Sequence, residues 1–452
     1  MTGGERLQIR KIAAALFLGG GAFALALLFL TYQQSALVGI LVLLVTLWTN
    51  EGLALGVVSL LPIVLFPTFG ILSTKATTVN YAHPIIYLFF GGFLLAIAVE
   101  KTGLHRWIAD RILLLFPNTA RGVIFSLSIT SGLLSSILSN TTTALLLIPI
   151  ALYLSADHRL KLRFALAIAY GASIGGILTP IGTPPNLIFL GIMEEKGMEA
   201  IPFVQWIWMV APLSFAMFVV VASVLSIGVS KTTIARDVDH KAITLKQKKV
   251  LYLLGILTLV LLVNAPVRPY WEGLGMSEPV ILLSAGLLLF APPFGLLDWA
   301  EDKGKIPYRI MMLFGAGFSI AKAFAETGLA DQIASYIVNL STLSPLLLLF
   351  AVATIITFTT EVTSNTALIS IMLPVIYSVA VQTGMDTRLF MMVATLCASY
   401  AFMLPIATPP NAIAMSTGAV SVGAMAKYGL LFNIAGILLI VLAARFFWSA
   451  LI

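Results

Sequence analysis

Apolar runs of about 15–22 residues follow one another from end to end of the chain, and short polar stretches between them hold most of the charge. A run of that length spans the hydrocarbon core of a bilayer as one helix. The short alternating segments of a transmembrane barrel do not occur. The pattern predicts about eleven transmembrane helices, near residues 12–30, 36–48, 53–66, 84–99, 164–192, 206–227, 250–263, 280–294, 308–324, 389–411 and 428–447. The first run follows a charged start but is too long for a signal peptide, and no small-residue cleavage site comes after it. It reads as a retained helix. The basic, amphipathic stretch 101–121 reads as interfacial.

Two places depart from simple spans. Apolar arms at 123–138 and 142–154 are each marginal for a crossing, and they meet at Ser139-Asn140-Thr141. Arms at 345–358 and 367–379 flank Ser364-Asn365-Thr366 in the same way. Lipid cannot hydrogen-bond such groups, and each stranded one costs several kcal/mol. A re-entrant hairpin with a polar tip fits, provided protein or a water-filled cavity surrounds the tip. Two further runs are interrupted by Thr-Pro-Pro-Asn, at 183–186 and 408–411. Paired prolines remove backbone donors, so these are helices broken within the apolar layer.

The triplets lie 225 residues apart, and so do Gly182–Asn186 and Ala407–Asn411. The segment from Phe89, FFGGFLLAIAVEKTGL, is echoed from Leu313 by LFGAGFSIAKAFAETGL. Three matches in one order at nearly one offset mark a duplication. Each half holds five spans and a hairpin adds no crossing, so the repeats are inverted. Inverted repeats with discontinuous helices at mid-depth mark secondary transporters.

Charge orients the chain. With the N-terminus in the cytoplasm, the inner segments hold 20 of the 26 Lys and Arg residues, and the loop 326–344 holds none. That is the positive-inside pattern, so the net charge of +7 does not imply nucleic-acid binding. The composition is 60% hydrophobic and 10% charged, with a mean hydropathy of +1.03. No stretch is long enough for a soluble nucleotide-binding domain, and no catalytic motif occurs. The single cysteine, Cys397, sits in an apolar run and reads as a small buried hydrophobe.

What converges at mid-depth is neutral. Hydroxyls and free carbonyls suit a small hard cation such as Na⁺, while helix N-termini and amides suit an anion's carboxylates. A multivalent anion is costly alone at low dielectric, and neighbouring cations offset that cost. This is a physical basis for coupled transport. A lone Ser-Asn-Thr triplet reads as interhelical hydrogen bonding; its duplication beside a duplicated Pro-Pro break favours a binding site. Three ionisable positions stand apart. Glu361 could relay protons, bind a cation or be paired within the hairpin base. Lys322 and Glu326 are spaced to pair on one helix. Glu51 reads as structural at a helix joint.

These motifs resemble the divalent anion/sodium symporter family, which includes dicarboxylate and citrate carriers. The likeness covers nearly the whole chain. Its most specific parts are the paired triplets and the Thr-Pro-Pro-Asn breaks, and the segment WTNEGLALGVVSLLPIVLFP from Trp48 is similar to another family signature. It departs from that signature at Asn50 and Ala54. The resemblance implies a homodimer in the cell (inner) membrane, working as an elevator. Residues 1–117 and 250–340 would form a scaffold, 118–229 and 341–452 a moving transport part, and 230–249 a cytoplasmic linker. It implies Na⁺ at Ser135, Ser139, Asn140 and Gly182, and again at Thr360, Thr363, Asn365 and Ala407. Substrate carboxylates would meet Asn140, Thr141, Thr183, Pro184, Asn365, Thr366, Thr408 and Pro409. The expected activity is Na⁺-coupled symport of a C4-dicarboxylate (succinate, malate or fumarate), with two or more Na⁺. A Na⁺-independent dicarboxylate or tricarboxylate exchanger, or a carrier of sulfate or another divalent anion, stays open.

Overall fold

A computed structural model describes residues 3–229, 233–234, 242–266, 270–340 and 344–450. Much of the expected linker, 230–249, lies outside the described residues. The described chain is all α-helical, with no strand beyond a single bridge between Thr119 and Thr233. Eight helices are long and apolar enough to cross a membrane: Gly4–Ala26, Tyr32–Asn50, Thr74–Lys101, Phe203–Leu225, Leu245–Asn264, Tyr308–Thr327, Asn365–Gln382 and Val422–Phe446.

Both expected helix pairs form, although the arm expected over 367–379 is the longer helix Asn365–Gln382, itself long and apolar enough to cross. The first joins Ala120–Ser135 to Asn140–Tyr153, and the second joins Pro345–Thr360 to Asn365–Gln382. The reason is local. Ser139 and Ser364 have extended backbone and cap the second arms, accepting from the N–H of Thr142 (3.1 Å) and of Ala367 (3.5 Å). The serine of each triplet is thus a helix cap, and its asparagine is the first helical residue. Both expected breaks form as well. His158–Gly176 stops before Pro184–Glu195, and Thr387–Ser399 stops before Pro409–Ser416. In each second half the prolines occupy the first positions, where a missing N–H costs nothing.

The helix expected over 53–66 is instead two short ones, Leu55–Val58 and Leu61–Thr68. Pro62 opens the second, and its ring cannot continue the preceding turn. Glu51 closes Tyr32–Asn50 in the left-handed region, φ 51°, while the Asn50 amide ties that corner to the Lys11 carbonyl at 3.0 Å. The stretch 326–344, which the sequence pattern leaves as a loop, contains the helix Leu329–Leu340. It is the counterpart of Leu104–Leu114 at the 225-residue offset, and each follows a glycine with positive φ, Gly328 (65°) and Gly103 (71°). Lys322 and Glu326 do not pair. Lys322 lies instead where its charge acts on Glu195.

Small residues let the elements close up where no solvent drives association. A methyl built on Gly175 would lie 2.0 Å from the Gly132 carbonyl oxygen, and one on Gly171 would lie 2.4 Å from that of Ser128. The first hairpin therefore packs backbone to backbone on the first broken helix. Pro84–Lys101 meets Glu278–Leu288 the same way at Gly91 and Leu282. The two repeats interlock: Pro409–Ser416 packs on Asn140–Tyr153, and Pro184–Glu195 packs on Asn365–Gln382. Each hairpin's second arm thus leans on the broken helix of the other repeat.

A polar knot ties the repeats together at one helix end. Asp302 has a side chain only 2% exposed; it accepts from the ammoniums of Lys101 at 2.6 Å and Lys305 at 2.8 Å. Burial works against its ionisation, but those two cations and the Asp298 N–H outweigh it and hold its carboxyl down at about 2. A depressed carboxylate stabilises the fold above its unfolded pKa and loses that contribution as pH falls through the folded value. Lys101→Met is expected to destabilise the protein by roughly 1.5–3 kcal/mol at neutral pH, the range for a hydrogen bond to a charged group. Thermal unfolding in detergent checks this, and the gap to wild type should close as pH falls towards about 2.

Candidate functional site

The asparagine of each triplet turns its side chain back toward the first arm of its own hairpin. Ser135 Oγ donates to Asn140 Oδ1 at 2.5 Å, and Thr360 Oγ1 donates to Asn365 Oδ1 at 2.6 Å. These are the same bond at equivalent positions. Thr360 Oγ1 also reaches the Ala398 carbonyl at 2.9 Å, linking the second hairpin to the second broken helix. In the first half Ser131 plays that part, donating to the Ile168 carbonyl at 2.6 Å.

The first break sits against this carboxamide. A methyl on Gly176 would lie 2.9 Å from Asn140 Oδ1, and one on Gly182 would lie 2.4 Å from the Gly176 carbonyl oxygen. Ser135, Asn140, Gly176 and Gly182 therefore form one contact chain, and only glycine fits at 182. Thr183 and Thr408 are buried, extended residues that precede Pro184 and Pro409. Thr141 and Asn365 are half-buried, Thr366 is buried, and Pro409 is exposed. Ser139 and Thr363 are the most locally committed of the expected ligands. Ser139 caps its helix and donates to Thr142 Oγ1, and Thr363 donates to the Thr359 carbonyl at 2.9 Å.

Residues that sequence reasoning quoted but did not use hold the breaks closed. Asn186 Nδ2 donates to the carbonyls of Thr179 (2.9 Å) and Gly176 (3.4 Å). Asn411 Nδ2 donates to those of Ala401 (2.9 Å) and Leu404 (3.1 Å). The last letter of Thr-Pro-Pro-Asn is therefore the tie across each gap, and its recurrence at the same offset was the available signal. Asn186 Oδ1, Asn411 Oδ1 and Thr408 Oγ1 are buried with no hydrogen-bond partner among the described residues. Buried acceptors of this kind, with the hydroxyl and carboxamide oxygens at the tips, are the donor set a small hard cation takes.

The citrate transporter family model matches residues 41–395. The chain belongs to that family. It is a membrane transporter, not an enzyme, and its kinship with the divalent anion/sodium symporters holds. The transporter is 30% identical to the sodium-dependent dicarboxylate transporter SdcS of Staphylococcus saprophyticus, over 95% of this chain and 90% of the relative. It is 31% identical to SdcS of Staphylococcus aureus (strain USA300), with the same shares covered. Two solved structures share the fold at low sequence identity. The Alcanivorax borkumensis YdaH transporter has a TM-score of 0.59 at 15% identity, covering 83% of this chain and 87% of that one. MtrF of Neisseria gonorrhoeae, from a class of antimetabolite efflux pumps, has a TM-score of 0.62 at 14% identity, covering 95% and 97%.

The transporter's two breaks differ in tolerance. Gly182→Ala drives a methyl into the Gly176 carbonyl and is expected to cost about 1–3 kcal/mol, as overpacking does. Ala407→Gly at the equivalent position is expected to change stability by about 1 kcal/mol or less. Thermal unfolding of the purified variants compares them.

Proposed function

We propose that this transporter couples the inward flow of Na⁺ to uptake of a C4-dicarboxylate such as succinate, malate or fumarate. The twin hydroxyl–carboxamide pairs carry the reading: Ser135 with Asn140 and Thr360 with Asn365, each at the start of a hairpin's second arm. Each pair offers oxygens to a cation and N–H groups to a carboxylate at one place. The names of the Staphylococcus relatives favour the same substrate and ion.

In this reading, one Na⁺ is held by oxygens of Ser135, Ser139, Asn140 and Gly182, and a second by those of Thr360, Thr363, Asn365 and Ala407. The substrate's carboxylates meet Asn140, Thr141, Asn365 and Thr366, and the helix starts at Thr183-Pro184 and Thr408-Pro409. There the exposed N–H ends favour negative charge. A dianion entering a low-dielectric pocket is expensive by itself. Bound Na⁺ supplies the compensating charge, so neither species occupies the site well without the other. The transporter would work as a homodimer in the cell membrane with its N-terminus in the cytoplasm. The part holding both hairpins and both broken helices would move as an elevator against a fixed scaffold.

The test is uptake of labelled succinate into proteoliposomes under an inward Na⁺ gradient. Asn140→Ala and Asn365→Ala are each expected to lower it at least tenfold while the protein stays folded. Normal uptake by either purified variant rejects the site. Exchange that persists in Na⁺-free buffer would make the protein an exchanger instead, and strong competition by sulfate would make it an inorganic-anion carrier.

A further inference from the structure

The two breaks are related by duplication, and an asparagine ties carbonyls in both, but the second also frees N–H groups. In the first, the unpaired groups are carbonyls, and donors meet them. Trp206 Nε1 donates to Ile177 O at 2.9 Å and Asn186 donates to the carbonyls of Gly176 and Thr179, while the break's own Thr179 hydroxyl donates out to Ser136 O of the hairpin at 2.5 Å. In the second, the unpaired groups include three successive N–H groups, and acceptors meet them. Phe402 N donates to Asn433 Oδ1 at 3.3 Å, Met403 N to Glu361 Oε1 at 2.9 Å, and Leu404 N to Glu361 Oε2 at 2.9 Å. Asn433 Nδ2 completes the set with a 2.6 Å bond to Glu361 Oε1.

The sequence explains the divergence. Gly176 and Gly182 become Ala401 and Ala407 at the 225-residue offset. Two methyls cannot enter the tight first-half geometry, where the Gly176 oxygen would lie 2.4 Å from a Cβ at 182. The second break is correspondingly wider: Thr387–Ser399 ends two residues earlier than its counterpart, and the additional unwinding releases N–H groups. The residue equivalent to Glu361 is Ser136, which has no charge to offer. Glu361 is 3% exposed, and no Lys, Arg or His forms an ion pair with it among the described residues. Its neighbour Thr360 holds the Asn365 carboxamide.

We propose that Glu361 is a positioning residue for the second cation site, fixing the widened break against the hairpin tip and adding a negative charge that the first site lacks. The two Na⁺ sites are therefore unequal, and the second is the tighter one. This rests on the Na⁺-coupled reading above. A carboxylate accepts from all three donors at once. A glutamine in its place would set an NH₂ group against a backbone N–H.

Na⁺ dependence of succinate uptake tests it. Glu361→Gln is expected to raise the half-saturating Na⁺ concentration about tenfold, with the maximal rate per folded transporter kept within about threefold. Asn433→Ala, which leaves the two backbone bonds to the carboxylate in place, is expected to raise it about threefold. Ser136→Ala, the first-half counterpart, should leave it within about twofold. A purely structural role would lower the folded yield without moving the half-saturation point. An unchanged half-saturation in Glu361→Gln and Asn433→Ala overturns the inference, including where little protein folds and only residual uptake is read. Wild-type uptake that ignores Na⁺ overturns the functional reading instead, which keeps the two failures apart.

Discussion

A helix broken inside an apolar layer leaves backbone N–H and C=O groups that lipid cannot satisfy, and the transporter's central region is built around that constraint. Each unmet group would cost several kcal/mol. The solution is to enclose both breaks in protein and to assign each freed group a partner. Asn186 and Asn411 tie the carbonyls across the gaps, and the hairpin tips close over them. What remains unpaired is a small set of buried oxygens.

The interlocked packing makes the site a joint product of the two repeats. Each Thr-Pro-Pro-Asn helix rests on the hairpin arm of the opposite repeat. Backbone-to-backbone contact at Gly132, Gly171 and Gly175 locks the first hairpin to the first broken helix as a unit. In a medium where burial of apolar surface gives no net drive, such close approach is the available source of attraction.

Duplication did not keep the halves identical. The second break has alanines at 401 and 407 where the first has glycines at 176 and 182, its first helix ends two residues earlier, and a carboxylate with an asparagine answers its free N–H groups. The same position in the first half needs no charge, because there the freed groups are carbonyls and Trp206 supplies a donor. Symmetry in sequence therefore coexists with a different local charge at the second break.

Much of this was legible from the residues alone. Span length follows from hydropathy, the hairpins and breaks from polar triplets and paired prolines, and the duplication from a constant offset. All of these are local signals, set by caps, missing donors and the thickness of a bilayer. Family membership followed from the same motifs. What the sequence did not determine was partnership across distance. The pairing of Asn140 with Ser135 lies within one hairpin, yet its placement against Gly176 needed the fold. Glu361 offered three roles on paper, and its partners, Met403, Leu404 and Asn433, all lie outside its own hairpin. Lys322 and Glu326 had the right spacing and did not pair, and Leu329–Leu340 formed where charge counting left a loop. Local patterns record what a segment can do by itself. Tertiary packing decides which of several possible partners a buried polar group finds, because that depends on chain brought together from residues far apart.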